Sequence, residues 1–160
     1  MTTLHSIPFN VLTLGQQATF SKTLTEQDIV LFAHTSGDIN PVHLDKGYAE
    51  TTPFKQCIAH GMWSAGLISA AIATKLPGPG SIYLGQSLRF ARPVFVGDTL
   101  NVTLTVKEKH ERKRRVIIGC SVTNQAGKEV VSGEAEVMAP ETAATHPAPH
   151  LPDISLTTSK

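Results

Sequence analysis

Cys57-Ile58-Ala59-His60-Gly61-Met62-Trp63-Ser64-Ala65-Gly66-Leu67-Ile68-Ser69-Ala70-Ala71-Ile72-Ala73-Thr74 runs without one formally charged side chain. Small residues alternate in it with Met62, Trp63, Leu67, Ile68 and Ile72, so a helix built from it is apolar all round and belongs inside a protein. Pro77-Gly78-Pro79-Gly80 then stops it, which predicts a core helix over Gly61–Lys75. A membrane span is the competing use of an apolar run. The many Ala, Gly, Ser and Thr residues, together with His60, make this one a poor span.

Beyond that helix the pattern changes to strands. Ser81–Phe90, Thr99–His110, Arg115–Asn124 and Val130–Met138 are enriched in β-branched residues and carry stretches of alternation such as Leu100, Val102, Leu104 and Val106. Gly97-Asp98 and Gln125-Ala126-Gly127-Lys128 supply turns. Upstream, Gln17–Leu24 reads as a first strand, and Thr25-Glu26-Gln27-Asp28 as a capping pattern that opens an amphipathic helix ending at Gly37. A short helix is expected over Asp45–Thr51, with Asp45 as its cap and Pro53 as its limit. One helix followed by an antiparallel meander is an α+β plan in which the sheet wraps the helix. Met1–Thr13 reads as a loose lead-in. From Pro140 onward Pro, Thr, Ala and His replace the pattern, so the chain divides into a domain over 1–140 and a tail over 141–160 expected to be disordered.

With 160 residues, 41% of them hydrophobic, the chain can bury one real core but not comfortably two. A net charge of +1 argues against nucleic acid as the main partner. No basic start with an apolar run and a small-residue cleavage site is seen at the N-terminus, and Cys57 and Cys120 sit in apolar surroundings without a motif; a cytoplasmic protein with reduced thiols is the expectation. A metal site built from Cys57-x-x-His60 with His34 and His43 lacks a second close ligand pair and is not favoured.

The chemistry is carried by Gly37-Asp38-Ile39-Asn40-Pro41-Val42-His43, where a carboxylate and an imidazole stand five positions apart in a turn stiffened by Asn40 and Pro41. By itself this is also what an ordinary loop looks like. The second segment, Ile58-Ala59-His60-Gly61-Met62, shifts the balance. A buried helix presents free N–H groups and a positive dipole end at its start, and Gly61, lacking a Cβ, lets a ligand carbonyl approach closely. A proton-handling pair facing an oxyanion site suits a thioester whose carbonyl is polarised while water adds or leaves nearby.

The run from Phe32 to Asp45 around Asp38-x-Asn40-Pro41-x-His43, then His60-Gly61-Met62, then Gly80-Ser81-Ile82-Tyr83-Leu84-Gly85-Gln86-Ser87-Leu88-Arg89-Phe90, resembles the MaoC-like hydratases. Within them it is most similar to the (R)-specific enoyl-CoA hydratases that supply monomers for polyhydroxyalkanoate synthesis, over about Leu14 to Ala139. The resemblance implies a hot-dog fold, a long central helix wrapped by a curved antiparallel β-sheet. It also implies hydration of trans-2-enoyl-CoA to (R)-3-hydroxyacyl-CoA, in a homodimer whose acyl-CoA tunnel lies near the subunit interface. Asp38 and His43 are then expected to hold the water, Asn40 to help orient it, and the Gly61 N–H to take the thioester oxygen.

Other residues keep two readings. Ser69 lies roughly 12 Å down the helix from Gly61, at 1.5 Å per residue. There, with Ile72, it would limit acyl-chain depth, or simply bond the preceding turn. Arg89 and Arg92 flank Phe90-Ala91, where a salt bridge or a phosphate contact fits each. Arg112-Lys113-Arg114-Arg115 reads as a solvated hairpin end before it reads as a phosphate contact. His60 reads as a side chain bonded to backbone at the helix start rather than as a catalytic group. Coenzyme A enters as part of the substrate, and no separate cofactor is expected. A hot-dog thioesterase and a non-catalytic acyl-CoA binding module are the rival functions.

Overall fold

A computed structural model of the chain describes residues 2–157. The elements run β1 (Thr3–Ser6), β2 (Gln17–Thr23), α1 (Glu26–Ser36), α2 (Pro41–Leu44), α3 (Lys46–Thr51), α4 (Gly61–Thr74), β3 (Ile82–Phe90), β4 (Thr99–His110), β5 (Arg115–Thr123), β6 (Glu129–Met138) and β7 (Ala144–Pro147), with a 3₁₀ turn at Arg112–Arg114. A five-stranded antiparallel sheet in the order β2-β4-β5-β6-β3 packs against α4. This is the expected α+β hot-dog arrangement.

Alternation decides which side of the sheet meets the helix. Leu100, Val102, Leu104 and Val106 on β4 and Val116, Ile118 and Val122 on β5 are fully buried, and Val102 pairs with Val122 and Leu104 with Cys120 across the ladder. A one-residue slip would turn every one of these side chains outward. They close a core with Trp63, Leu67, Ile68, Ala71 and Ile72 of α4.

Two expectations about these elements change. The helix, apolar on every side in sequence, buries only one face, because its other face of Met62, Gly66, Ser69 and Ala73 is exposed. Nor is the second half a simple meander. Only β4, β5 and β6 follow one another, while β3 lies beyond β6 at one edge and β2 beyond β4 at the other. The link from β3 to β4 therefore crosses the end of the sheet, and there Val94 accepts from the Ala59 N–H at 2.8 Å and Phe95 bridges Ile58. That crossing anchors the segment leading into α4.

The termini also depart from expectation. Thr3–Ser6, within the supposed loose lead-in, pairs antiparallel with Ala144–Pro147, within the supposed disordered tail. Both strands are only four residues long and lie about 140 positions apart, so each satisfies its backbone only when the other arrives. From Ala148 to Thr157 no helix or strand forms, although Gln27 of α1 donates to the Ile154 carbonyl at 2.7 Å. Met1 and residues 158–160 of the expected tail lie outside the described residues. Among the described residues no helix is long and apolar enough to cross a membrane.

Candidate active site

Three short devices place the side chains. α1 begins with a capping box between Thr25 and Asp28 and ends at Gly37, whose φ of 77° is the left-handed conformation a glycine takes without strain. Asp38 follows at once. Asn40 then caps α2 through its Oδ1, which accepts from the Val42 N–H at 3.2 Å, and Pro41 occupies the first helical position. The stretch expected to be an unbroken turn therefore contains one helical turn, and His43 stands on it. Asn-Pro was the legible signal for that turn: a capping side chain followed by the one residue whose missing N–H costs nothing at a helix start.

The Asp38 Oδ2 and the His43 Nε2 lie 3.9 Å apart. That is too long for a direct hydrogen bond, while one water oxygen about 2.8 Å from each fits between them. The Nδ1–H of His43 donates to the Ile58 carbonyl at 2.8 Å, which leaves Nε2 as the lone-pair nitrogen facing Asp38. Burial pushes the imidazole of His43 below its ordinary pKa, and the neighbouring His60 ring adds to that. The Ile58 hydrogen bond and Asp38 act the other way without reversing the result. Exposure divides the pair, with the His43 side chain 10% accessible and that of Asp38 49%.

His43 and Gly61 share a cavity of about 320 Å³ whose walls include Ser64, Phe90, Arg92 and Val131. Gly61 opens α4, so its N–H has no acceptor within the helix, and the preceding His60 makes no side-chain cap. A Cβ on Gly61 would stand 3.1 Å from the Phe90 ring, so glycine keeps that side of the cavity open.

Ligand atoms of Asp38, His43 and His60 fall within 4.8 Å of one another. The two imidazoles, however, are stacked, centroids 3.9 Å apart and planes 32° from parallel, so their in-plane lone pairs run side by side instead of converging on one ion. The cluster suits proton transfer better than metal binding. Neither Cys57 nor His34 belongs to it.

A family described as "MaoC like domain" matches residues 10–128. The chain belongs to the MaoC-like family. The (R)-specific enoyl-CoA hydratase of Rhodospirillum rubrum is 52% identical to this MaoC-like chain over 126 residues, 79% of this chain and 87% of the relative. Among solved structures, the unliganded R-hydratase PhaJ1 of Pseudomonas aeruginosa superposes with a TM-score of 0.93 at 56% identity, covering 98% of this chain and all of that one. The (R)-hydratase of Aeromonas caviae involved in polyhydroxyalkanoate biosynthesis gives 0.78 at 43% identity, covering 81% of this chain and 98% of that one.

In this MaoC-like chain the remaining candidates part company. Asp38, His43 and Gly61 gather at one end of α4, and Asn40 joins them as a helix cap, its side-chain oxygen already committed to Val42. Ser69 is exposed on α4 and Ile72 is buried in the core, and neither lines the cavity. Ser69 falls on the exposed line of Met62, Gly66 and Ala73, while Ile72, three residues on and about 60° round the helix, falls at the margin of the face that packs on the sheet. Arg89 is exposed on β3, whereas Arg92, two residues beyond the strand, borders the cavity. The basic run is partly committed, with Arg114 paired to Glu141 and Arg115 to Glu136. Ser64 and Phe90 were missed as cavity walls. Ser64 lies one helical turn beyond Gly61, which places both on one face, and that spacing was a usable signal.

Proposed function

We propose that this chain is an (R)-specific enoyl-CoA hydratase, adding water across the double bond of a trans-2-enoyl-CoA to give (R)-3-hydroxyacyl-CoA. The observation that carries the reading is the 3.9 Å gap between the Asp38 carboxylate and the lone-pair nitrogen of His43, next to an open-sided Gly61 at a helix start. The thioester oxygen binds the Gly61 N–H, which draws electrons from the double bond and makes C3 electrophilic. Water held between Asp38 and His43 attacks C3, and the pair takes one proton from it and returns one to C2. The two groups act as one proton-sharing unit, so the step is assigned to the pair. Every bond change is a proton or water transfer, and no cofactor is needed.

The names of the Rhodospirillum, Pseudomonas and Aeromonas relatives support this reaction and its stereochemistry. The Aeromonas relative's part in polyhydroxyalkanoate biosynthesis supports a role in supplying hydroxyacyl monomers or in fatty-acid metabolism. We place the protein in the cytoplasm, where free Cys57 and Cys120 stay reduced. It works as a homodimer joined along the β3 edge.

The deciding experiment incubates the purified protein separately with crotonyl-CoA and butyryl-CoA. Loss of the enoyl absorbance from crotonyl-CoA is the expected result. Thiol release from butyryl-CoA would make the protein a thioesterase, and binding of both without turnover would make it a binding module. Asp38→Asn and His43→Gln should each lower turnover by about a hundredfold or more. Hydration near the wild-type rate in both variants would remove the pair from the mechanism.

A further inference from the structure

His60 is the most completely buried titratable side chain beside the cavity, 1% accessible, and the mechanism above gives it nothing to do. Its ring lies between Phe32, at 4.9 Å, and His43, at 3.9 Å. Its Nε2–H donates to the backbone carbonyl of Asp38 at 2.9 Å, while Nδ1 is buried with no partner. A phenylalanine of similar size would fill the same space without leaving a polar atom unsatisfied, so packing alone does not account for a histidine here.

The hydrogen bonds around Asp38 do account for it. Within Gly37–Asn40 the Gly37 N–H reaches Ala33, the Asp38 N–H reaches Ser36 Oγ, the Ile39 N–H reaches Gly37, and the Asn40 N–H reaches the Asp38 side chain. All of these are local. Among the described residues, His60 to Asp38 is the one hydrogen bond that ties this stretch to a part of the chain distant in sequence. His43 is tied to the same place, because Ile58 takes its Nδ1–H and the Ile58 N–H donates to Val42 at 3.3 Å. Ile58–His60 is itself held to the sheet crossing through Ala59 and Val94, and it runs directly into Gly61.

We propose that His60 is a positioning residue, a buried strut that fixes Asp38 against His43 and fixes both against the Gly61 N–H. His60 borders the cavity, but with 1% of its surface accessible it offers a substrate almost no contact. It acts through the Asp38 carbonyl and the face of the His43 ring, and so sets the gap in which water is held. A strut of this kind changes how often the pair is correctly placed, which alters turnover, and leaves the cavity that binds acyl-CoA as it was, which spares KM.

This inference rests on the hydratase reading, and its test keeps the two apart. His60→Phe keeps the ring and the stack but removes the Nε2 donor; His60→Gln keeps a donor long enough to reach Asp38. With crotonyl-CoA, the Phe variant should lose at least tenfold in kcat with KM changed less than twofold, and the Gln variant should recover at least a third of the lost log units. Amide exchange measured on the same proteins should speed up at least tenfold across Ile39–His43 in the Phe variant, with α4 unchanged. That readout needs no activity, so it judges the strut even where the wild-type protein fails to hydrate. Should the Phe variant not fold, His60→Leu replaces it in both assays. Equal kcat in all the proteins, a loss confined to KM, a Gln variant no better than the apolar one, or unchanged exchange over Ile39–His43 would each overturn the proposal.

Discussion

At the scale of single residues the site turns on which nitrogen of His43 is free. Donation from Nδ1 to Ile58 settles it, and burial then keeps the ring neutral to lower pH than an exposed imidazole, whose pKa is about 6.5. If hydration needs that neutral ring, the acid limb of kcat/KM for crotonyl-CoA falls below about 6.5, and a limb above it would mean that Asp38 outweighs burial. Stability follows with a defined sign. The folded value is depressed, so the unfolded chain binds the proton more readily, and the contribution of neutral His43 is full above about 6.5 and declines as pH falls from there toward the folded value. Between pH 7.5 and 5.5 the wild-type protein should therefore lose more of its urea midpoint than His43→Gln does; parallel losses would show that His43 is not buried at a cost. Of this the sequence displayed the pair and its spacing. It did not display the tautomer, because Ile58 lies fifteen positions away and only the fold brings its carbonyl to the ring.

Elements were readable in proportion to how local their signals are. α4 announced itself by an apolar run and a Pro-Gly stop, α1 by its capping box, and β4 by alternation that four buried side chains bear out. β1 and β7 had no such signal, since four residues hold too little alternation to read and the partner of each is at the other end of the chain. Their pairing has a measurable consequence. A chain ending at Thr142 keeps the Phe9 N–H on the Pro140 carbonyl and Arg114 near Glu141, but loses the β1–β7 ladder and the Gln27 contact to Ile154. None of the lost residues lines the cavity. The truncated protein should melt about 2–4 °C lower, on the order of 1 kcal/mol, with kcat for crotonyl-CoA within about twofold of the full chain. An unchanged melting temperature would mean that the ladder forms without stabilising the domain, and a collapse of activity would mean that the tail reaches the site.

For the whole molecule the open question is what meets the two ends of the sheet. β2 ends it with polar, largely exposed residues, including Ser21 and a Lys22 paired to Asp28, which is how an edge is kept from sticking. β3 ends it with Ile82, Tyr83, Leu84 and Phe90 all exposed, an apolar edge that a monomer would normally cover. Strand order made this difference visible, because β3 reads in sequence like its neighbours and becomes an edge only by lying beyond β6. Phe90 belongs to this edge and also to the cavity wall, so the proposed dimer and the proposed site share a strand. Replacing Ile82 and Leu84 together by Lys puts two charges on the β3 edge and none on the cavity lining. Light scattering at micromolar concentration should then find the wild-type protein at twice the 17.1 kDa chain mass and the double variant at the single mass, with kcat/KM reduced because the Phe90 wall has lost its support. Lys at Ser21, on the opposite edge, should change neither mass nor rate. A double variant that still scatters with the mass of a dimer would move the interface elsewhere, and a monomer of full activity would separate the cavity from the assembly.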